Sequence, residues 1–341
     1  ELLRCVSEGD TFETAKTKLN ELGLTVKEYP DLDLYLIKYD KAVSDMTDPD
    51  SNMCRGMIVR MSDNKAVCVP PPKSCNIEKI YNSIEQWNTL SIEDFIDGTM
   101  INLFYSSGKW NISTRSNIGG HCRWYGQKTF NEMFNEACNI SFEALDTSKF
   151  YTFVLLHPEN IIVTKYLIPE IILVSVGTIV DGTYINLDIY KEDIGIKTPF
   201  SYRFDSIQDI KDFVFKQNYQ KQGIVIKDRN NNRYKIRNPN YDHVKLMRGN
   251  TNNLKYLYYE NKKNKMIREY LNYFPEETKL YKQFYDEFIK LVKDTLFFYR
   301  SYHIKKKLEI NKIPYQLKPV CYELHSLYKR DKTPITFDIV Y

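Results

Sequence analysis

No uninterrupted apolar run in the 341 residues approaches the roughly 18 to 20 needed to cross a bilayer as a helix. The opening Glu1-Leu2-Leu3 lacks the charged-then-apolar pattern of a signal peptide. These absences exclude a helical membrane protein and lead to the expectation of a water-soluble, cytoplasmic protein with no membrane partner. The seven cysteines are odd in number and scattered, with no Cys-x-x-Cys pair and no Cys/His grouping at zinc spacing. They read as reduced thiols rather than as disulfides or a metal site. Repeats and low-complexity tracts are also missing, and Pro70-Pro71-Pro72 is a short rigid connector rather than a domain linker. The chain opens without methionine, as expected of a segment of a longer product.

What the chain does have is length enough for two domains with separate cores, and a charge asymmetry hidden by a net charge of +4. Residues 245–341 carry 20 Lys and Arg against 11 Asp and Glu, whereas the residues before them carry 28 against 33. A basic module joined to a mildly acidic one suits a protein that holds phosphate backbones, and a solvated helical surface gives the same count.

Periodicity divides the chain at the same place. Residues 11–22 put Phe12, Ala15, Leu19 and Leu22 at helical spacing, with Asp10 as the expected cap and Gly23 as the stop. Short β-branched or aromatic runs then predict strands at 34–39, 56–61, 100–105, 110–114, 150–156, 171–179, 184–189, 223–227 and 234–237. Hairpin turns are expected at 106–109, 181–182 and 228–232. From about Lys245 the pattern is helical. Residues 278–299 place Leu280, Phe284, Phe288, Leu291, Thr295 and Phe298 on one stripe. The expected architecture is an antiparallel α+β domain over 1–244 followed by an all-α basic domain over 245–341.

Seven short motifs follow one another through the first part: Cys54-Arg55-Gly56 entering a strand, residues 77–82, Asp97-Gly98-Thr99, Ser113-Thr114-Arg115-Ser116, residues 153–160 ending in His157-Pro158-Glu159-Asn160, Gln222-Gly223-Ile224, and Arg233-Tyr234-Lys235-Ile236-Arg237. Asp-Gly-Thr alone is a common turn. In the last motif Lys235 and Arg237 alternate with Tyr234 and Ile236, so both cations fall on one face of a strand and repel one another unless an anion sits between them.

In order and spacing the series resembles the RNA ligase 1 family of T-even phages, within the covalent nucleotidyltransferases, over roughly residues 34–248. It is also similar to ligase-like proteins of large DNA viruses, in which a K-I-R-N-P-N-Y run and a helical tail recur. The resemblance implies an antiparallel-sheet nucleotidyltransferase fold of ATP-grasp-like ligase type, with ATP or another nucleotide, with Mg, as cofactor. A viral origin would place the protein in the host cytoplasm or the virion. In that family a lysine attacks the α-phosphate of ATP, carboxylates of two motifs hold metal ions, and basic residues of the last motif neutralise the triphosphate.

Carried over by position, the lysine place is Phe95, one metal-binding glutamate place is Val154, or Leu155 if the register slips by one, and the other is Gln222. Phenylalanine cannot attack phosphorus, valine cannot ligate a metal, and glutamine offers only a neutral oxygen. Arg55, Asp97, Gly98, Thr99, Arg115, Lys235 and Arg237 remain, so the implied nucleotide- or RNA-binding set is these seven with Phe95 and Gln222, and no catalytic or metal-ligating residue is assigned. Phe95 reads as a core aromatic first and a base-stacking one second. Glu159 and Asp97 remain as carboxylates open to a metal, and His157 reads as a turn-stabilising hydrogen bonder.

Three functions follow: a degenerate ligase fold that binds nucleotide, an RNA 5′ end or a cap without covalent chemistry; an RNA ligase or end-repair enzyme of variant mechanism, hence a chain not settled as an enzyme; or a structural assembly subunit with a protein partner on its basic helical tail. An open cleft beside Phe95 lined by Arg115, Lys235 and Arg237 favours the first, and a plugged one the third.

Overall fold

The computed structural model describes residues 6, 9–75, 77, 89–124, 126–188, 195–228 and 232–341. Residues 78–82 of the expected 77–82 motif, Ile189, residues 229–231 of an expected turn, and Cys5 lie outside the described residues. The chain forms two compact units, Glu1–Arg248 and Gly249–Tyr341.

In chain order the first unit begins with α1 (Phe12–Glu21), β1 (Leu24–Tyr29), β2 (Leu34–Tyr39), α2 (Pro49–Met53), β3 (Arg55–Arg60) and β4 (Ala66–Cys68). Next come β5 (Ser91–Asp94), β6 (Thr99–Ser106), β7 (Lys109–Ser113), α3 (Phe130–Ala137), β8 (Lys149–Leu156), β9 (Glu170–Val180) and β10 (Thr183–Asn186). It closes with β11 (Ser201–Tyr202), α4 (Ile207–Phe215), β12 (Gly223–Lys227), β13 (Arg233–Arg237) and α5 (Pro239–Arg248). Every strand pair of the described ladders is antiparallel. The strands make three sheets, ordered β1-β2-β3-β4, β10-β9-β8-β6-β7 and β11-β5-β12-β13.

Alternation along the strands explains how these sheets are covered. In the second sheet Ile101, Leu103, Phe153 and Leu155 face α3, which presents Phe130, Met133, Phe134 and Ala137. Phe104 and Phe150 face the opposite way and join the core of the first sheet around Tyr35, Met57 and Val59. One face of the third sheet packs Ile92, Ile224, Ile226, Tyr234 and Ile236 against Ile207, Ile210 and Val214 of α4. Its other face stays polar. The short strands β1, β4, β5 and β11 and the helices α3 and α4 lie outside the sequence expectation. β5, for instance, mixes Ser91 and Glu93 with Ile92 and Asp94, which conceals it as a strand.

Helix α1 starts one residue later than expected. Thr11, not Asp10, caps it by accepting the Thr14 N–H, because Asp10 is held 2.7 Å from Lys18. The Asp97-Gly98-Thr99 turn joins β5 to β6, and Asp97 is a fixed point of the unit. Buried to 4% exposure, its carboxylate accepts from the Val163 N–H at 3.1 Å, the Thr164 N–H at 2.8 Å and the Tyr241 hydroxyl at 2.6 Å. Its carbonyl accepts from the Tyr166 hydroxyl at 2.8 Å. One side chain thus ties the β5–β6 turn to the 163–164 loop and to α5. Gly98 follows because a Cβ there would lie 2.5 Å from the Leu155 carbonyl oxygen and 2.6 Å from Val154 Cγ1.

The second unit contains α6 (Leu254–Lys263), α7 (Ile267–Tyr273), α8 (Thr278–Tyr299), α9 (Lys318–Asp331) and α10 (Phe337–Val340). Among the described residues no helix is long and apolar enough to cross a membrane. The buried face of α8 is Tyr281, Val292, Thr295, Leu296 and Tyr299, about one residue on from the expected stripe, and Leu291 is 47% exposed. Tyrosines set the difference: Tyr281 stacks on Tyr270 at 5.0 Å and meets Tyr258 edge-on at 5.4 Å. Farther along, the His303 and His325 rings stack at 4.1 Å, with His303 Nε2 and His325 Nδ1 buried and lacking hydrogen-bond partners.

Two outcomes follow. Asp97→Ala leaves two backbone N–H groups and a buried hydroxyl without an acceptor, each worth about 1–3 kcal/mol. We expect urea denaturation to show a loss of roughly 3 kcal/mol or more; a loss below about 1 kcal/mol would contradict this role. In the second unit, burial, then His325, Lys306 and Lys329, pushes His303 down to about 4, and burial, then Lys329 and Lys306, lowers His325. The unfolded chain therefore binds more protons, so this contribution is complete above the ordinary histidine value near 6.5 and is lost as pH falls through about 4. The thermal midpoint of the helical signal should drop across that window, and His303→Phe should flatten the drop; a midpoint independent of pH there would refute it.

Candidate functional site

A cavity of about 270 Å³ lies between the polar face of the third sheet and the second sheet, with Arg55 at the start of β3 reaching it as well. Phe95, Gly98, Val154, Gln222, Lys235 and Arg237, expected from the sequence, all line it with Arg55. The alternation of β13 makes one wall. Tyr234 and Ile236 are buried on the α4 side, and Arg233, Lys235 and Arg237 line the cavity. Cross-strand pairing sets Arg233 opposite Lys227, Lys235 opposite Val225, and Arg237 opposite Gly223.

Arg55, Arg233, Lys235 and Arg237 thus gather in one small volume. Among the described residues Arg237 pairs with Asp242, while Arg55, Arg233 and Lys235 have no ion pair. Arg233 Nε is buried without a hydrogen-bond partner. Burial, then the charge of Arg55, lowers Arg233 to about 10, still charged at neutral pH. Lys235 is lowered too, by burial and then by Arg237, Lys41, Arg55 and Arg233. Burial is likewise the first cause of a lowered Arg55, with Arg115 adding to it. Burial leads each of these shifts and neighbouring cations add to it, while Glu93 and Asp188 act against it at Arg233.

Phe95 is the neutral centre of this group. Its ring centroid lies 5.6 Å from the Arg233 guanidinium carbon and 5.9 Å from that of Arg237. Its N–H donates to the Gly223 carbonyl at 3.0 Å, which brings it beside β12. The ring is half-buried and lies outside the hydrophobic cores, so the expectation of a core aromatic gives way to a cavity-lining one. The reason is alternation: on β5 Ile92 faces the α4 core, so Glu93 faces the cavity and Phe95, two residues on, follows it.

Val154, at 7% exposure, forms an apolar wall with Leu156, Ile172 and Val174, and Val154 and Val174 face the cavity. Leu155 packs on the opposite face with Phe153, which fixes the register at Val154. Asp97, Thr99 and Arg115 do not line the cavity. Asp97 is spent on the amides and hydroxyl described above, and Thr99 Oγ1 accepts from the Asn160 amide at 2.8 Å. Arg115 donates to the Tyr39 carbonyl at 2.8 Å and lies 4.5 Å over the Tyr39 ring. Glu159 pairs with Lys128 at 2.9 Å. His157 spans Glu136 and the Glu159 N–H, both at 3.1 Å, in the expected turn-holding role.

The sequence reading missed the acidic side of the cavity. Lys227 Nζ lies 3.0 Å from Glu93 Oε2, 2.8 Å from Asp188 Oδ2 and 2.8 Å from the Val174 carbonyl. Asp188 Oδ1 also accepts from Ser175 Oγ at 2.8 Å and the Val176 N–H at 2.9 Å. Burial alone would lower Lys227, but Asp188 and Glu93 outweigh it and hold it above the ordinary lysine value. Asp94 pairs with Lys221, which also donates to the Tyr202 hydroxyl at 2.7 Å. Arg233 and Lys227 were legible as steps in strand alternation. The meeting of Glu93, Asp188 and Lys227 from three distant segments was not.

The site therefore fits an anion. At Val154 and Gln222, the positions that the resemblance assigns to metal-binding carboxylates, the cavity meets an apolar side chain and a neutral amide. Among the described residues no three His, Cys, Asp or Glu side chains are grouped to hold a metal ion.

No protein-family model matches the chain. The "Putative bifunctional polynucleotide kinase/RNA ligase" of Autographa californica nuclear polyhedrosis virus is 22% identical over 241 residues, 63% of this chain and 34% of that protein. The chain thus spans about a third of the length of that relative. Among solved structures, an archaeal ATP-dependent RNA ligase in its form 2 gives a TM-score of 0.50 at 11% identity, covering 72% of this chain and 67% of that one. Form 1 of the archaeal ligase gives 0.49 at 13% identity, covering 72% and 64%. At such identities the likeness to form 2 speaks to fold alone. In sequence and in fold the chain is RNA ligase-like, with the nucleotidyltransferase fold of the ATP-dependent ligases and a helical unit after it.

Proposed function

We propose that this chain is a catalytically degenerate RNA ligase-like protein that holds the phosphates of a nucleotide or an RNA 5′ end without forming a covalent adduct. The observation that carries the reading is the wall of Arg55, Arg233, Lys235 and Arg237, three of them without an ion pair, around Phe95 at the nucleophile position. Guanidinium forks match phosphate oxygens in pairs, and an ammonium beside them adds charge that phosphate alone can satisfy. Loss of the nucleophile and of both carboxylates removes covalent transfer while leaving this grip in place. The cavity beside Phe95 stays open to about 270 Å³, which supports ligand binding over a filled, purely structural cleft.

For RNA, the second unit supplies further charge. Lys279, Lys282, Lys290 and Lys293 of α8 are all exposed, and spaced 3, 8 and 3 residues apart they fall on one helical stripe.

Two measurements test the reading. Incubation with α-labelled ATP should leave no label on the denatured protein; a retained label, or sealing of a pre-adenylylated RNA, would establish an enzyme instead. Affinity for 5′-triphosphorylated RNA should fall with salt, and Lys235→Gln should weaken binding and reduce the log–log salt slope by about 0.7. An unchanged affinity and slope in that variant would remove the cavity from RNA binding.

A further inference from the structure

Resting on that reading, we infer that the cavity recognises its oligophosphate without a divalent metal, and that Mg2+ weakens binding rather than supporting it. The ligase fold leads one to expect the opposite, and the side chains around this cavity are why it differs. Val154 and Val174 make an apolar wall. Gln222 is neutral and lines the cavity. A magnesium ion beside substrate phosphates is usually held to the protein by one or two carboxylates, which neither group supplies.

The carboxylates that do line the cavity are already engaged. Glu93 and Asp188 both hold Lys227, at 3.0 and 2.8 Å, and Asp94 holds Lys221. A metal would have to break these partly buried pairs and leave an ammonium uncompensated, which is strongly unfavourable. Among the described residues the charges left to meet a ligand are therefore cations: Arg55, Arg233 and Lys235 unpaired, and Arg237 shared with Asp242.

A metal-free terminal triphosphate carries roughly four negative charges and its magnesium complex about two, so the metal-free form is drawn more strongly to Arg55, Arg233 and Lys235, which have no ion pair, and to Arg237, shared with Asp242. The metal ion also occupies the oxygens that the guanidiniums would take as bidentate acceptors.

The test is calorimetric titration of the whole chain with ATP, inorganic tripolyphosphate and 5′-triphosphorylated RNA, each in EDTA and in excess Mg2+ at matched ionic strength. We expect binding in EDTA and affinity about tenfold weaker or more in Mg2+. Equal affinities for tripolyphosphate and ATP would place recognition in the phosphate chain, and tighter binding of RNA would assign the ligand to an RNA end; both support the inference. Lys235→Gln, an exposed change that leaves the Tyr234 and Ile236 core face untouched, should lower the metal-free affinity and shrink the Mg2+ effect. Tighter binding in Mg2+, or a Mg2+ effect unchanged in Lys235→Gln, overturns the inference and leaves the proposed function standing. No binding of any of the three in either buffer overturns both.

Discussion

Mutual repulsion among Arg55, Arg233, Lys235 and Arg237 is the constraint around which the first unit is organised. Side chains two apart on a strand stand about 7 Å from one another, and two like charges at that distance cost roughly 2 kcal/mol at an effective dielectric near 20. Screening reduces this for the exposed Lys235. Phe95 offsets part of it, because its ring face meets both Arg233 and Arg237, at about 0.5–2 kcal/mol per contact. Asp242 offsets another part for Arg237 alone. Glu93 and Asp188 offset a further part for Arg233, and an anion in the cavity would relieve what is left, as the proposed function requires.

Such a wall persists only if the frame around it cannot relax. Asp97 supplies one anchor by joining the β5–β6 turn to the 163–164 loop and to Tyr241 of α5, so β5 cannot slide away from β6 without stranding buried donors. Lys227 supplies the other by joining β12 to Glu93 of β5, to Asp188 beyond β10 and to the Val174 carbonyl of β9. Both anchors consume carboxylates. The acids near the cavity therefore hold the scaffold together, and Glu93 and Asp188, which share Lys227, also offset part of the charge of Arg233.

Sequence patterning carried much of this, and its failures are physically specific. Strands 34–39 and 223–227 and the long helix 278–299 were legible to the residue, because each is a strong periodic run with clear ends. Phe95, Val154 and Gln222 were found through motif order and do share one cavity. Arg115 stands outside the cavity and over Tyr39, and an arginine in a motif looks the same in sequence whether it meets a ligand or an aromatic ring. Asp97 was drawn toward the site for the same reason, since nothing local reveals that residues 163, 164 and 241 will claim its oxygens. The face of α8 was shifted by counting leucine and phenylalanine in a helix whose core is set by stacked tyrosines.

The sequence by itself determined the two-part organisation, the antiparallel α+β class of the first unit, and the residue types, neutral at Phe95, Val154 and Gln222 and cationic at Arg55, Lys235 and Arg237, that the cavity displays. Those properties reside in periodicity and residue type, which are local. Only the tertiary structure decided which cations stand unpaired, that Phe95 lies between two guanidiniums, and that Glu93, Asp94 and Asp188 are already spent on Lys227 and Lys221. Pairing of charges is set by distances between strands far apart in the chain, and those distances exist only once the sheets have closed on the cavity.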